Sequence, residues 1–136
     1  MIVSTRGRYA LRVMIDLAEH QNKGKIPLKD IAERQKISQK YIETIMTILS
    51  KNKMVDASHG KGGGYKLNRK PEEYTVNEIL SITEGTLAPV ACLEKGAEPC
   101  AKAAACRTLP MWKKLDSLVS GYLSTVSIAD LMKSEE

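Results

Sequence analysis

Phenylalanine is absent from the sequence, and aromatic residues make up only 4% of it. The core of this 136-residue chain must therefore be built from leucine, isoleucine, valine, methionine and alanine. Aromatic side chains are enriched in sheets, whereas leucine, methionine and alanine favour helices. The composition thus predicts a mainly α-helical protein of one domain, or of one domain with an added oligomerisation element.

Long uncharged runs are missing as well. The longest stretch without a charge, Ser117 to Ala129, has 13 residues and contains serine and glycine, so it is too short to span a bilayer. No apolar segment at the amino terminus resembles a signal peptide. We therefore expect a cytoplasmic protein that has no membrane partner.

The residue sets of common enzyme classes are also not found in the sequence. No Ser/His/Asp, Cys/His or paired-carboxylate set lies on a recognisable scaffold. The glycine run from His59 to Gly64 matches neither G-x-x-x-x-G-K-[ST] nor G-x-G-x-x-G, because Tyr65 occupies the place of a third glycine. We therefore expect neither an enzyme nor a nucleotide-binding site.

A helix followed by a tight hairpin is predicted between Ile37 and Leu67. Ser38 is a good N-cap, and up to about residue 53 the apolar residues recur at helical spacing, at Ile42, Ile45, Met46 and Leu49. A short helix from Leu28 to Ile37 precedes it at helix-turn-helix spacing. Four glycines within residues 60–64 permit a tight reversal between two short strands. This segment predicts a winged helix-turn-helix.

The polar face of the second helix and the hairpin carry most of the residues that we expect to contact DNA. In a major groove, such side chains reach base edges or phosphates. The first helix, predicted from Ser4 to about Gln21, adds Arg6 to this set. Arg6, Arg8 and Arg12 lie near its start, where basic residues oppose the helix dipole, and this suggests that they bind an external anion such as DNA phosphate. The predicted DNA-binding residues are Arg6, Ser38, Gln39, Lys40, Tyr41, Glu43, Lys51, His59, Lys61, Gly62 and Gly63.

Charge is distributed unevenly between the two halves of the chain. Residues 1–70 hold 15 Lys and Arg against 6 Asp and Glu, whereas residues 71–136 hold 6 against 10. The basic half is the half that contains the predicted helix-turn-helix and wing. A basic surface on such a motif favours double-stranded DNA as the partner and makes affinity depend on salt.

Two more helices are predicted after the hairpin. The first begins at a capping-box pattern, Thr75 with Glu78, and continues to about Glu84. The second is longer, from Leu109 to about Val126. A further capping pattern, Ser127 with Asp130, opens a last short turn.

The longer helix has an apolar stripe that needs a partner surface, either on its own domain or on a second copy. The stripe consists of Trp112, Leu115, Leu118, Val119, Tyr122, Leu123 and Val126. We expect a homodimer, because paired half-sites are the usual way in which helix-turn-helix proteins gain specificity. The predicted division is a DNA-binding domain at 1–85, a cysteine-containing loop at 86–108, and a dimerisation helix with its tail at 109–136.

All three cysteines, Cys92, Cys100 and Cys106, lie in this irregular loop with the spacing C-x7-C-x5-C. An odd number of cysteines in a cytoplasmic protein argues against a structural disulfide set. Zinc sites usually contain C-x-x-C pairs, which are absent from the sequence. Three thiolates on one loop could hold an iron-sulfur cluster. Incidental thiols and a redox switch are the alternatives.

Four features follow one another along nearly the whole chain: TRGRYALRVMIDLA, IPLKDIAERQKIS-x-x-YIE, GKGGGYKL and the three-cysteine loop before a long helix. In this combination the chain resembles the Rrf (Rrf-two) family of bacterial winged-helix transcription regulators. The resemblance implies a homodimer joined through the long helix, with operator DNA bound by the helix after Ser38 and by the wing. Cluster-binding members use three cysteines of this loop, which correspond to Cys92, Cys100 and Cys106.

The same resemblance leaves the cluster type, 2Fe-2S or 4Fe-4S, and its fourth ligand open. Some members have a histidine three residues after the last cysteine, where this chain has Leu109. Others use an aspartate from the first helix of the partner subunit, where this chain has Arg8. The candidates for the fourth ligand are therefore Glu94, Glu98 or a small exogenous molecule.

These observations together predict a DNA-binding transcription regulator whose operator affinity is controlled by an iron-sulfur cluster. Cluster loading would reorder the loop and change the relative placement of the two recognition helices. Two alternatives keep the same fold: a metal-free regulator controlled by thiol oxidation, and a regulator that works with a metabolic enzyme as partner, which the family resemblance allows.

Overall fold

A computed structural model describes residues 3–98 and 105–132 of the chain. The α-helices in these ranges are α1 (Thr5–Glu19), α2 (Leu28–Gln35), α3 (Gln39–Lys51), α4 (Val76–Glu84), α5 (Leu109–Leu123) and α6 (Ile128–Leu131). The strands β1 (Val55–Ser58) and β2 (Gly64–Leu67) form an antiparallel hairpin between α3 and α4. Short 3-10 turns lie at Gln21–Lys23, Pro71–Glu73 and Ala91–Leu93. The expected fold class, mainly α with a small hairpin wing, is confirmed.

Helix α1 lies at the centre of the core. It packs along α4 and also contacts α6 and α2. Helix α3 contributes the stripe predicted from its sequence, Ile42, Ile45, Met46 and Leu49, all fully buried. The core is aliphatic apart from Tyr74, whose side chain is also fully buried. The core therefore has the composition that the scarcity of aromatic residues predicts.

Side-chain caps determine where several helices begin. The hydroxyl groups of Ser4, Ser38 and Thr75 each accept a hydrogen bond from the backbone N–H three residues later. At α6 the predicted pair, Ser127 and Asp130, forms a complete capping box. The carboxylate of Glu78, the second half of the pattern predicted at Thr75, instead accepts two hydrogen bonds of 3.0 Å from Arg69.

The wing is joined to the rest of the domain through Ile26, which pairs with Tyr65. The backbone N–H of Ile26 donates to the Tyr65 carbonyl at 2.8 Å, and the N–H of Tyr65 donates back at 2.9 Å. A Cβ on Gly64 would overlap the Ile26 carbonyl. Position 64 therefore requires glycine, because the segment at Ile26 approaches the hairpin closely there. This requirement is separate from the turn that the glycine run was predicted to form.

Helix α5 ends at Leu123, earlier than the predicted end near Val126. A turn at Ser124 and Thr125 follows, and the chain then pairs with the segment that leads into α4. The N–H of Val76 donates to the Val126 carbonyl at 2.9 Å, and the N–H of Ile128 donates to the Tyr74 carbonyl at 3.0 Å. These long-range bonds compete with continued helix and anchor α6 in the core.

The apolar stripe of α5 is largely uncovered in the single chain. The helix buries none of its 15 residues. Met111, Leu118 and Tyr122 are 53%, 57% and 67% exposed. Within the two described ranges, no helix is both long enough and apolar enough to cross a membrane.

Candidate nucleic-acid interface and cysteine segment

Helix α3 presents a polar face opposite its buried stripe. Gln39, Lys40, Glu43 and Lys51 are exposed on it. Ser38 is exposed too, and its hydroxyl accepts a hydrogen bond from the N–H of Tyr41 at 3.2 Å, so it also caps the helix. The half-buried Tyr41 ring packs edge-on against Tyr9 with the ring centroids 5.6 Å apart. Two of the predicted DNA-binding residues, Ser38 and Tyr41, thus also have structural roles.

The wing tip lies beside the second half of α3. His59, Lys61 and Gly62 are exposed, and Gly63 is half-buried with its N–H bonded to the Gly60 carbonyl at 3.0 Å. Gly60 and Gly62 have φ angles of 88° and 78°, which favour glycine. A cleft of about 200 Å³ separates wing and helix, and its lining includes Thr47, Lys51, Ala57 and His59. The structure therefore brings His59 and Lys51 to one cleft.

Arg6 lies at the other end of α3. It is exposed and lines a cleft of about 300 Å³ together with Ser4, Thr5, Tyr41 and Thr44. The predicted DNA-binding residues therefore border α3 at both ends, with Arg6 near its start and the wing near its end.

Arg8 and Arg12, which the sequence grouped with Arg6, bind within the protein. The guanidinium of Arg8 donates to the Thr5 hydroxyl at 3.2 Å. That of Arg12 donates to the side chain and the carbonyl of Gln35, at 3.1 and 2.6 Å, and lies 5.2 Å from the ring centroid of Tyr9. Arg12 therefore joins α1 to the end of α2, although its position suggested an external anion.

A buried carboxylate also connects α1 with α2, and sequence reasoning missed it. Asp16 is 1% exposed and accepts hydrogen bonds from Arg34 at 2.7 and 3.0 Å and from the Gln35 amide at 2.9 Å. The hydrogen bond to Asp16 raises the pKa of Arg34 above its ordinary value. The ring Nδ1 of His20 lies 2.7 Å from the Asp16 carbonyl. This network holds the first helix of the helix-turn-helix against α1.

Tyr74 joins the two strands at the base of the wing and was also missed. Its hydroxyl donates to the Met54 carbonyl at 2.8 Å and accepts from the backbone N–H groups of Asn68 and Arg69, both at 3.1 Å. Burial raises the pKa of this phenol above the ordinary value for tyrosine. Asp16 lies within TRGRYALRVMIDLA and Tyr74 outside the four quoted features, but for both residues only the position beside apolar residues could have indicated burial.

Two of the three cysteines lie in the described residues, and both are free thiols. Cys92 is exposed in the 3-10 turn after α4, and Cys106 is half-buried just before α5. Cys100 lies outside the described residues. Within the described ranges, no three His, Cys, Asp or Glu side chains come together as a metal site. The candidate fourth ligands Glu94 and Glu98 are exposed.

The thiol of Cys106 is hydrogen-bonded near the start of α5. Its sulfur lies 3.5 Å from the hydroxyl oxygen of Thr108. Hydrogen bonds from that hydroxyl and from the backbone N–H groups of Thr108 and Leu109 lower the pKa of the Cys106 thiol. A larger fraction of this thiol than of an ordinary cysteine is therefore in the thiolate form, which binds metals and reacts with oxidants.

Comparison with known proteins shows which family this chain resembles. The family model Rrf2, described as an iron-dependent transcriptional regulator, matches residues 3–134. The HTH-type transcriptional regulator IscR of Aliivibrio salmonicida is 37% identical over 136 residues, which are 100% of this chain and 80% of that protein. The relatives are named as transcriptional regulators and not as enzymes, as expected.

Solved structures agree with this assignment. CymR, the global cysteine regulator of B. subtilis, has a TM-score of 0.77 and 31% identity, covering 96% of this chain and 95% of that one. IscR of T. potens has a TM-score of 0.72 and 30% identity, covering 96% and 85%. The resemblance predicted from the sequence motifs is confirmed. The chain belongs to the Rrf2 family of transcriptional regulators.

Proposed function

We propose that the protein is a dimeric DNA-binding regulator whose operator affinity depends on an iron-sulfur cluster bound through Cys92, Cys100 and Cys106. The observation that carries the DNA-binding part is that the exposed polar face of α3 lies between Arg6 near its start and the wing tip near its end. Membership of a family of transcriptional regulators supports it.

In this proposal, α3 enters the major groove. Gln39, Lys40 and Glu43 lie in its first turns, where Gln39 and Glu43 would reach base edges and the Lys40 ammonium would contact a phosphate. Lys51, His59 and Lys61 surround the cleft and wing beyond its other end, where basic side chains contact the phosphate backbone. Arg6 would supply a phosphate contact from α1.

The cysteine chemistry fits a cluster. Cys92 and Cys106 are accessible thiols without a disulfide partner among the described residues, and the surroundings of Cys106 lower the pKa of its thiol. A bound cluster would supply a redox-active group at the segment that joins the winged domain to α5. Because this segment connects α4 with α5, a change in its conformation would alter the spacing of the two recognition helices in a dimer.

The test is an iron and sulfide assay with a visible absorption spectrum on protein purified without oxygen. We expect iron and sulfide in similar amounts, with a broad visible band. Cys100→Ala should abolish that band and leave a folded dimer, and retained absorbance would remove this cysteine from the ligand set. DNA affinity would then be compared between loaded and stripped protein. Colourless protein that cannot be reconstituted would contradict the cluster.

A metal-free thiol switch is the second candidate function, and the hydrogen-bonded thiol of Cys106 favours it. Peroxide would oxidise two thiols to a disulfide and itself be reduced to water. We expect such a protein, stripped of metal, to change its DNA affinity on treatment with hydrogen peroxide and to recover on reduction. Unchanged affinity after oxidation would exclude this alternative.

A further inference from the structure

The carboxylate of Glu84 joins the end of α4 to the start of α1. One of its oxygens, Oε1, accepts hydrogen bonds from the backbone N–H of Ser4 at 3.0 Å and from the Ser4 hydroxyl at 2.7 Å. The same hydroxyl caps α1, because it accepts from the N–H of Gly7 at 3.2 Å. A single carboxylate oxygen therefore connects two helix ends that are 80 residues apart in the sequence.

Gly7 provides the space for this carboxylate. It is buried inside α1, where glycine is less favourable than alanine. A Cβ at position 7 would overlap Oε1 of Glu84 and would lie 3.2 Å from Cδ2 of Leu80. Its backbone does not have the positive φ that would require glycine. The contact with Glu84 thus accounts for a glycine that the helix itself does not need.

Each of the two joined helix ends leads to a different functional segment. Thr5 and Arg6 follow Ser4 and share a cleft with Tyr41 and Thr44 of α3. On the other side, Gly85 follows Glu84 and opens the segment that contains Cys92. The Glu84–Ser4 contact therefore lies between the cysteine segment and the DNA-facing end of α1.

We propose that Glu84 is a positioning residue for DNA binding. Its hydrogen bonds hold the first turn of α1 against the end of α4, and this keeps Arg6 beside the start of α3. They also transmit changes in residues 86–98 to this surface. The negative charge suits the site, because a helix start attracts anions. This inference rests on the DNA-binding part of the proposed function and is independent of the cluster.

The test uses two substitutions that break the contact in different ways. Glu84→Ala removes the carboxylate, whereas Gly7→Ala displaces it with a methyl group and leaves the residue in place. Displacing the far end of a flexible side chain is compatible with folding. Glu84→Gln keeps an oxygen acceptor, and Glu72→Ala removes an exposed carboxylate in the turn before α4 and is the matched control.

The first readout is the affinity of the full-length dimer for a fluorescent DNA duplex selected from a random library by the wild-type protein. We expect Glu84→Ala and Gly7→Ala each to lose about tenfold in affinity, a typical coupling between contacting residues. The double variant should lose no more than either single one. Glu84→Gln should keep most of the affinity, and the control should match the wild type.

The second readout is the rate of hydrogen exchange in residues 86–98, measured with and without the duplex. If Glu84 had a merely structural role, its substitution would not change the effect of DNA on these rates. DNA should alter the exchange rates in the wild type and leave them unchanged in Glu84→Ala and Gly7→Ala. Additive losses, or an unaltered exchange response in the variants, would overturn the inference while DNA binding stands. A wild-type protein that selects no duplex would overturn the DNA-binding function and the inference with it.

Discussion

Single polar groups inside the core decide the geometry of the candidate interface. Asp16 holds α2 through Arg34 and Gln35, and the Tyr74 hydroxyl holds both strands at the wing base. A buried polar group that loses its partner costs free energy, since no water replaces the lost hydrogen bond. We therefore expect substitutions at these residues to disturb the interface through the elements that they hold in place.

Tyr74→Phe tests the contribution of the buried Tyr74 hydroxyl at the base of the wing. The substitution keeps the ring and removes the hydroxyl, which leaves the Met54 carbonyl and two backbone N–H groups without this partner. We expect the free energy of unfolding to fall by about 1 to 3 kcal/mol, measured by urea denaturation. Tyr9→Phe, which likewise removes a hydroxyl from a partly buried ring packed against the core, is the control. Equal losses in both variants would contradict the assigned role.

The same phenol predicts a pH dependence of stability. Burial raises the pKa of Tyr74 in the folded state, so the folded protein retains a proton that the unfolded chain releases. Its contribution to stability is therefore present below the ordinary pKa of tyrosine, about 10, and is lost as pH rises through the raised value. Wild-type unfolding free energy should decrease above about pH 10, and less steeply in Tyr74→Phe.

Among the elements, α3 combines a fully buried stripe with an exposed polar face. The network around Asp16 and Arg12 fixes α2 against α1. The edge-on contact of Tyr41 with Tyr9 then positions the start of α3. The polar face of α3 is thus presented by a rigid support, which is what recognition of base edges requires.

Lys40→Ala tests the contribution of that face. If Lys40 binds a phosphate, its removal should weaken DNA binding by a similar factor for all sequences and reduce the salt dependence by about one ion. The measurement is a series of binding titrations at several salt concentrations. Lys113→Ala, on the exposed surface of α5, is the control. Unchanged affinity at every salt concentration would remove Lys40 from the interface.

For the whole molecule, the uncovered apolar stripe of α5 is the main indication of assembly. Soluble monomers rarely expose a contiguous row of large apolar side chains, and such patches mark interaction surfaces. Met111, Leu118 and Tyr122 are exposed along α5, a helix in which no residue is buried. A second copy of α5 would cover this stripe.

If the proposed homodimer forms through this stripe, Leu118→Glu should convert it to a monomer, because the substitution places a charge in an apolar interface. Analytical ultracentrifugation measures the mass, and the same sample should bind the selected duplex more weakly, since one half-site remains per protein. Lys113→Glu on the exposed surface of α5 is the control for charge alone. A Leu118→Glu protein that stays dimeric would contradict assembly through this stripe.

Much of the fold follows from patterns within a few neighbouring residues. The caps at Ser38 and Ser127, the apolar periodicity of α3 and the glycine run of the wing each predict an element that the structure contains. Such signals are local because a helix or a tight turn is stabilised by hydrogen bonds between residues close in sequence. The same patterns predicted which residues of α3 are exposed.

Contacts between distant parts of the chain decided the rest. Arg6, Arg8 and Arg12 have similar surroundings in the local sequence. The packing of α2 against α1 is what brings Arg12 to Gln35. The early end of α5 depends on pairing with the segment before α4. The Ser4–Glu84 contact joins residues 80 positions apart. Hydrogen bonds of this kind form only once the helices have packed, so their partners are set by the tertiary arrangement and not by any pattern along the chain.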